Sequence, residues 1–157
     1  MTTIAYKDGK LCSDSKVSWG SGAVPIDFPK LYNIEGHWYG FAGNLVDIEY
    51  VKQYLIEGEI VVKDTHEMEM LRVSHYKKEK LISVEIGWVG PTGQPTFFDI
   101  TESYMAVGSG KDLAMAAMMA GASAKEAVEI ACKLDDHTGG EVIEVDVTVE
   151  DFQVEED

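Results

Sequence analysis

The chain has 157 residues, of which 45% are hydrophobic and 10% aromatic, which is enough to bury the core of one domain over residues 1–157. Its 28 acidic and 13 basic side chains give a formal net charge of -15, and this charge excludes nucleic acid as an expected partner. No apolar run suits a membrane span or a signal peptide, so we expect a cytoplasmic protein without membrane contact.

Turn signals divide the first part of the chain into short strands followed by a helix. The predicted strands are 4–6, 11–13, a strand with a loop within 17–24, 30–34 and 37–42. Asp8-Gly9 suits the positive φ angles of a tight hairpin turn between the first two strands. Asn44 is typical of a helix N-cap, and apolar residues then recur at helical spacing until about Gly58.

The second part of the chain returns to strands and closes with two helices and a strand. Residues 59–70 give an ambiguous signal, and the predicted strands are two within 71–89 around a turn at 77–80, then 96–100, 104–107 and 141–147. Gly108-Ser109-Gly110 opens an Ala- and Met-rich helix that ends near Gly121. Ser123 and Glu126 form a predicted capping box for the next helix, which runs to about Asp135. An acidic segment from about 149 to 157 is a predicted final strand with a frayed end.

This order of elements lacks the regular strand-helix alternation of a parallel sheet. It predicts an α+β fold in which two antiparallel sheets stack and helices cover both outer faces. The expected architecture is therefore a four-layer αββα sandwich.

Several common functional motifs fail on inspection. The Gly108–Lys111 stretch lacks the first glycine of a phosphate loop, since Met105 stands there, and Asp112 replaces the magnesium-binding hydroxyl. The four histidines lack metal-ligand spacing, and a solvated loop is favoured for the one near Glu67 and Glu69. Cys12 and Cys132 are too few for a disulfide framework, so we expect both to be reduced core residues. No metal or cofactor is predicted.

One class of nucleophile needs no histidine as its base. A threonine at the mature N-terminus uses its own α-amino group, whose pKa is about 7.7 to 8, to accept the hydroxyl proton. Thr2 becomes such a residue when Met1 is removed, and this removal requires a small second residue. The chemistry then requires a nearby lysine, a carboxylate that orients it, and a backbone N–H for the oxyanion.

A set of short motifs occurs in an order that resembles a known family. They are Met-Thr-Thr-Ile at 1–4, Ser-Asp-Ser at 13–15, Lys-Leu-Tyr at 30–32, Tyr-Gly-Phe-Ala-Gly at 39–43, Ala-Val-Gly-Ser-Gly at 106–110 and Asp-Asp-His-Thr-Gly-Gly at 135–140. In order and context they are similar to proteasome β-type and HslV-like peptidases of the N-terminal nucleophile hydrolase superfamily. The joint order of the motifs, from Thr2 to about Val147, makes this resemblance specific.

The resemblance implies a threonine endopeptidase with roles for seven residues. Thr2 would be the nucleophile, Lys30 its charged neighbour and Asp14 the carboxylate that orients Lys30. Gly40 would donate its backbone N–H to the oxyanion. The residues that would surround the amine and hold a proton-relay water are Ser109, Asp135 and Thr138, the last in a place where the family usually has serine. Taken singly, Asp14 as a turn cap, Lys30 as a surface charge and Thr138 as a loop contact are each favoured over a catalytic role, and the joint set is what favours catalysis.

The resemblance also implies partners: a homo-oligomeric ring, an ATP-dependent unfoldase and unfolded polypeptide as the substrate. The chain departs from the family in being shorter around residues 59–70, where the family has a second long helix. Two alternatives stay open. One is an inactive assembly or binding protein that retains Met1, and the other is an amidase that acts on a small molecule.

Overall fold

The structure, a computed structural model, describes residues 2–19, 22–24, 27–58, 68–76, 78–79, 81–89, 95–101, 104–149 and 154. Within these residues the strands are β1 (Thr3–Lys7), β2 (Lys10–Ser13), β3 (Val17–Trp19), β4 (Gly22–Val24), β5 (Leu31–Ile34), β6 (His37–Ala42), β7 (Met68–Tyr76), β8 (Leu81–Val89), β9 (Pro95–Asp99), β10 (Met105–Gly108) and β11 (Ile143–Asp146). The helices are α1 (Leu45–Glu57), α2 (Lys111–Met119) and α3 (Ala124–Leu134). None of these three is long and apolar enough to cross a bilayer.

Two antiparallel sheets form the middle of the molecule. The first has the strand order β10-β1-β2-β11, and the second has the order β5-β6-β7-β8-β9. The predicted hairpin between β1 and β2 is confirmed, with Asp8 at φ 51° and Gly9 at φ 80° in its turn. Strands β3 and β4 pair only with each other, so the predicted single strand within 17–24 is a small hairpin of its own.

Three apolar clusters show that the fold has four layers. The cluster between the two sheets includes Ile4, Leu71 and Val107. The second cluster joins the other face of the first sheet to α2 and α3, through residues such as Met118 and Val128. The third joins the other face of the second sheet to α1, and its members include Phe41, Ile48, Val51, Met68 and Met70. The predicted αββα sandwich is confirmed.

Local capping signals set the helix ends as predicted. The Asn44 side chain accepts a hydrogen bond from the Val46 N–H, and Gly58 ends α1 in the left-handed conformation at φ 75°. The Ser123 and Glu126 side chains each bond the other's backbone N–H, which confirms the capping box of α3.

Some predictions lie partly or wholly outside the described residues. These are the state of Met1, residues 59–67 including His66 and Glu67, and the two ends of the 77–80 turn, although β7 and β8 do pair as a hairpin. Within 149–157, Val149 and Val154 are described, and Val154 makes a parallel bridge to Tyr76. Cys12 and Cys132 form no disulfide with each other. Cys12 is buried and Cys132 only partly so, so the predicted core position holds for Cys12 alone.

Candidate active site

A buried ion pair lies at one end of the space between the sheets. The Lys30 Nζ atom lies 2.9 Å from Asp14 Oδ1, and the two residues are 6% and 0% exposed. Asp14 follows the end of β2 and Lys30 precedes the start of β5, so the chain brings the two charges together from adjacent loops. The structure thus pairs the two residues as the sequence predicts.

Asp14 is held by backbone groups as well as by lysine. Its Oδ1 atom accepts a hydrogen bond from the Thr3 N–H at 3.1 Å, and its Oδ2 atom accepts one from the Gly139 N–H at 3.1 Å. A buried carboxylate needs such donors because burial removes the water that would otherwise solvate its charge. Asp14 therefore links the start of β1, the 135–140 loop and Lys30.

The environment of Lys30 favours loss of its proton relative to a lysine in water. Burial lowers the pKa of the Lys30 ammonium below its ordinary value of 10.5, and the attraction of Asp14 opposes this shift only in part. The ammonium form is the one that would stabilise developing negative charge in a water-poor site, so the lowered pKa limits the pH range over which Lys30 can do so.

Thr2 lies immediately before β1 and is 3% exposed. Its carbonyl oxygen accepts a hydrogen bond from Ser109 Oγ at 3.4 Å. Gly108 lies against the same carbonyl, with φ at 101°, and a Cβ atom added there would be 1.9 Å from the Thr2 oxygen. Only glycine fits that position, both because of its backbone conformation and because of the close approach. The 106–110 motif thus contacts the Thr2 carbonyl group through Gly108 and Ser109.

Asp135 accepts hydrogen bonds from two hydroxyl groups at the same end of the molecule. Both Ser109 Oγ and Thr138 Oγ1 lie 2.6 Å from Asp135 Oδ2. Thr138 Oγ1 also lies 2.8 Å from Thr3 Oγ1, so the cluster reaches the first strand. Burial raises the pKa of Asp135, but the bonds from Ser109, Thr138 and the His137 N–H outweigh it and hold the pKa below its ordinary value.

The role of Thr3 was not predicted. Its N–H bonds Asp14 and its hydroxyl bonds Thr138, so one residue joins both carboxylate clusters to the chain next to Thr2. Thr3 is fully buried, which separates its hydroxyl from any ligand. Thr3 is the first residue of β1 and Thr2 precedes the strand, and only Thr2 lines the cavity.

A cavity of about 1070 Å³ opens beside Thr2. Thr2, Lys30, Gly43 and Gly108 line it, and Asp14 lies outside its lining, fully buried. Part of the lining is apolar and belongs to the cluster between the second sheet and α1, through Tyr32, Phe41 and Ile48. The cavity therefore offers an apolar recess next to a hydroxyl and an ammonium group.

The structure does not bring Gly40 to this cavity. Gly40 lies within the second sheet, paired with Leu31 on one side and Leu71 on the other. A Cβ atom added to Gly40 would be 2.6 Å from Ile4 Cγ2, so this glycine makes room for a core side chain. The predicted oxyanion role of Gly40 is therefore corrected on geometry.

Gly43, unlike Gly40, lines the cavity. It follows Ala42, the last residue of β6, and its backbone lines the cavity with Thr2. A Cβ atom added to Gly43 would be 2.7 Å from Met68 Cβ. Gly43 belongs to the same Tyr-Gly-Phe-Ala-Gly motif, and the end of the strand is the signal that separates it from Gly40, since N–H groups within a central strand are used in the sheet.

Within the described ranges no group of three or more histidine, cysteine, aspartate or glutamate side chains is arranged to hold a metal ion. The chemistry that these residues offer is that of a hydroxyl, an ammonium, two carboxylates and backbone N–H groups.

Among known proteins, solved structures resemble this chain. No protein-family model matches the chain, and no curated protein does. A structure of Thiobacillus denitrificans BPH in complex with epoxomicin is similar with a TM-score of 0.60 and 20% sequence identity, over 92% of this chain and 96% of that chain. A second structure of Thiobacillus denitrificans BPH is similar with a TM-score of 0.58 and 18% identity, over 92% and 95%. At these identities the likeness concerns the fold, and the chain has a proteasome-like α+β sandwich fold.

Proposed function

We propose that this protein is a threonine endopeptidase in which Thr2, freed by removal of Met1, is the nucleophile. The observation that carries the proposal is the buried Lys30–Asp14 ion pair, because Lys30 and Thr2 line one cavity at the end of β6. A buried lysine held by a carboxylate is the group that a hydroxyl nucleophile without a histidine requires.

The proposed reaction uses the chain's own groups at each step. The Thr2 hydroxyl attacks the carbonyl carbon of a peptide bond, and the free α-amino group accepts the hydroxyl proton. The Gly43 N–H donates a hydrogen bond to the resulting oxyanion, and the Lys30 ammonium lowers the energy of the developing charge. The amino group passes its proton to the leaving amine, and water then hydrolyses the Thr2 ester.

The Asp135 cluster has a place in this scheme. Ser109 binds the Thr2 carbonyl oxygen and also donates to Asp135, so the cluster reaches the residue that carries the amine. We propose that Ser109, Asp135 and Thr138 hold the amine in position and support its charged form. The lowered pKa of Asp135 supports this, because a carboxylate that stays ionised stabilises a neighbouring ammonium.

Similarity to a protein that binds epoxomicin, a proteasome inhibitor, supports a protease of proteasome type. By the same analogy we propose that this chain forms a homo-oligomeric ring in the cytoplasm, with its sites facing an inner chamber. An ATP-dependent unfoldase would supply unfolded polypeptide to such a ring.

Peptide hydrolysis by the wild type and by three variants tests the proposal. We expect Thr2→Ala to abolish cleavage and Thr2→Ser to retain it in part. Alanine and serine are both small, so Met1 removal is expected in each variant. Thr3→Ser is the matched control, because it keeps the buried hydroxyl that bonds Thr138.

The same assay separates the two alternatives. Cleavage of small amides but not of peptides would favour an amidase. Retention of Met1 in the intact protein, together with no hydrolysis by the wild type, would favour an inactive assembly protein. Peptide cleavage by Thr2→Ala at the wild-type rate would exclude Thr2 as the nucleophile.

A further inference from the structure

Two aromatic side chains on the second sheet are exposed although they lie on the face that meets the first sheet. Trp88 is 53% exposed and Phe98 is 58% exposed. Phe98 pairs across the strands with Ile86, which packs against the core between the sheets, and Trp88 lies two residues beyond Ile86 on the same face. Residues two apart in a strand share a face, so both aromatic rings should be covered by the opposing sheet.

The arrangement of the sheets explains their exposure. Strand β1 packs on β6 and strand β10 packs on β7, and β10 is the edge of the first sheet. The parts of β8 and β9 that carry Trp88 and Phe98 therefore lie beyond that edge, whereas Val84 and Ile86 of β8 pack in the core between the sheets. We call the pair Trp88 and Phe98 the aromatic shelf.

The aromatic shelf lines the same cavity as Thr2, Lys30 and Gly43. It lies on a different wall from the apolar recess of Tyr32, Phe41 and Ile48, because that recess belongs to the face of the second sheet that packs on α1. A polypeptide bound with its carbonyl carbon beside Thr2 would thus meet two separate apolar surfaces within one cavity.

The strand register gives the distance from the reacting bond to the shelf. Ala42, at the end of β6, pairs with Glu69, and Glu69 pairs with Trp88 on the next strand. Two strand spacings are about 10 Å, which equals about three residues of extended polypeptide. The shelf is therefore within reach of a substrate side chain about three residues from the cleaved bond.

An ion pair lies among the residues that line the cavity with Thr2 and the shelf. The Lys111 Nζ atom, in the first turn of α2, lies 3.3 Å from Glu69 Oε2, and both residues line the cavity. The two charges neutralise each other locally, so an apolar side chain meets no unpaired charge from this pair on its way to the rings. Exposed contiguous aromatic surface beside a site is typical of a binding surface.

We propose that the aromatic shelf is a substrate subsite, which binds an aromatic or large aliphatic side chain of the polypeptide about three residues from the cleaved bond. The proposal rests on the proposed function of Thr2, and it names the substrate class: polypeptide with a second large apolar residue at that separation. Covering the two rings with an apolar side chain removes both from water, which favours binding of such a substrate.

Paired peptides test the subsite. The two members of each pair are identical except for phenylalanine or serine at one position, and that position is moved from two to four residues on either side of the cleaved bond. We expect kcat/KM of the wild type to favour phenylalanine about tenfold or more at one position near three residues. Trp88→Ala and Phe98→Ala should reduce that ratio towards one, because cleavage of the phenylalanine peptide falls more than cleavage of the serine peptide, and far-UV circular dichroism shows that the variants fold.

Met119→Ala is the matched control, because Met119 is 75% exposed on α2 and does not line the cavity. A phenylalanine-to-serine ratio that stays at the wild-type value in both shelf variants would overturn the subsite. If the shelf variants instead changed the sedimentation coefficient and left the ratio unchanged, the shelf would be a contact between copies of the chain, which also overturns the proposal.

A binding measurement separates failure of the subsite from failure of the nucleophile. Affinities of the same two peptides are measured by calorimetry for Thr2→Ala and for Thr2→Ala combined with Trp88→Ala. A preference for phenylalanine that disappears in the double variant supports the subsite even if no variant cleaves peptide. Equal affinities of Thr2→Ala for both peptides at every position would overturn it, whatever the wild type cleaves.

Discussion

Two ion pairs of the second sheet and its neighbouring loops show how burial changes what a charge pair does. Lys30 and Asp14 are 6% and 0% exposed, and they lie at the end of the cavity. Arg72 and Glu85 pair through two hydrogen bonds, of 2.9 and 2.8 Å, on strands β7 and β8, with about a fifth of each side chain exposed. The Arg72 guanidinium also lies 3.7 Å from the centre of the Phe97 ring.

The difference lies in what surrounds each pair. Asp14 shares its two oxygens with Lys30 and two backbone N–H groups, so removing the cation leaves a buried charge. The Arg72 and Glu85 side chains both reach solvent, so we expect water to hydrate either one when its partner is removed. Good hydrogen-bond geometry alone therefore does not mark an ion pair as a candidate for catalysis. Burial of the pair next to a cavity is the better criterion.

Removal of the buried cation has the largest expected effect. Lys30→Met keeps most of the side-chain volume but leaves Asp14 without its ionic partner. We expect the free energy of unfolding to fall by about 3 to 5 kcal/mol. Peptide hydrolysis should fall about 100-fold or more, because the oxyanion loses a nearby positive charge. Urea titration and initial rates measure the two effects. A variant with full activity would exclude Lys30 from the reaction.

The pH dependence of peptide hydrolysis tests the Lys30 side of the same ion pair. Because burial lowers the Lys30 pKa, the cation is lost as pH rises through a value below 10.5, and the activity falls there. Over the window between the folded and unfolded pKa values the folded chain binds fewer protons, so this group's contribution to stability increases with pH. Lys30→Arg keeps its charge at any accessible pH and should move the alkaline limb upward. If the alkaline limb of the activity profile does not move in Lys30→Arg, a group other than Lys30 causes it.

The smallest effect is expected at the other ion pair. Arg72→Met should lower the free energy of unfolding by about 1 kcal/mol, since Glu85 is hydrated once its partner is gone. Peptide hydrolysis should stay at the wild-type rate, because neither residue lines the cavity. Urea titration in low and high salt checks the stability change. Loss of activity in a variant that unfolds normally would contradict the contrast between the two pairs.

Local signals in the sequence were enough to predict most of the fold. Asp8-Gly9 predicts a hairpin because the turn requires positive φ angles, and Asn44 and Ser123 predict helix starts because their side chains bond free N–H groups. Strand pairing between distant segments could not be read this way. The placement of β10 beside β1, and the exposure of Trp88 and Phe98 beyond that edge, depend on tertiary packing.

The candidate site was predictable to the extent that its residues lie in motifs. Ordered motifs named Asp14, Lys30, Ser109, Asp135 and Thr138, and the structure brings these together near Thr2. The choice of Gly40 failed because a motif with two glycines does not show where a strand ends. Thr3 was missed because its hydrogen bonds to two loops exist only in the folded chain.

Mass spectrometry of the intact protein tests the nucleophile most directly. The purified chain is weighed before and during reaction with a peptide ester that releases its acyl group slowly, and the modified residue is located by fragmentation. We expect a chain that lacks Met1 and then carries the acyl group on Thr2, with no adduct in Thr2→Ala. An active protein that keeps Met1, or an acyl group on any other residue, would contradict an N-terminal threonine mechanism.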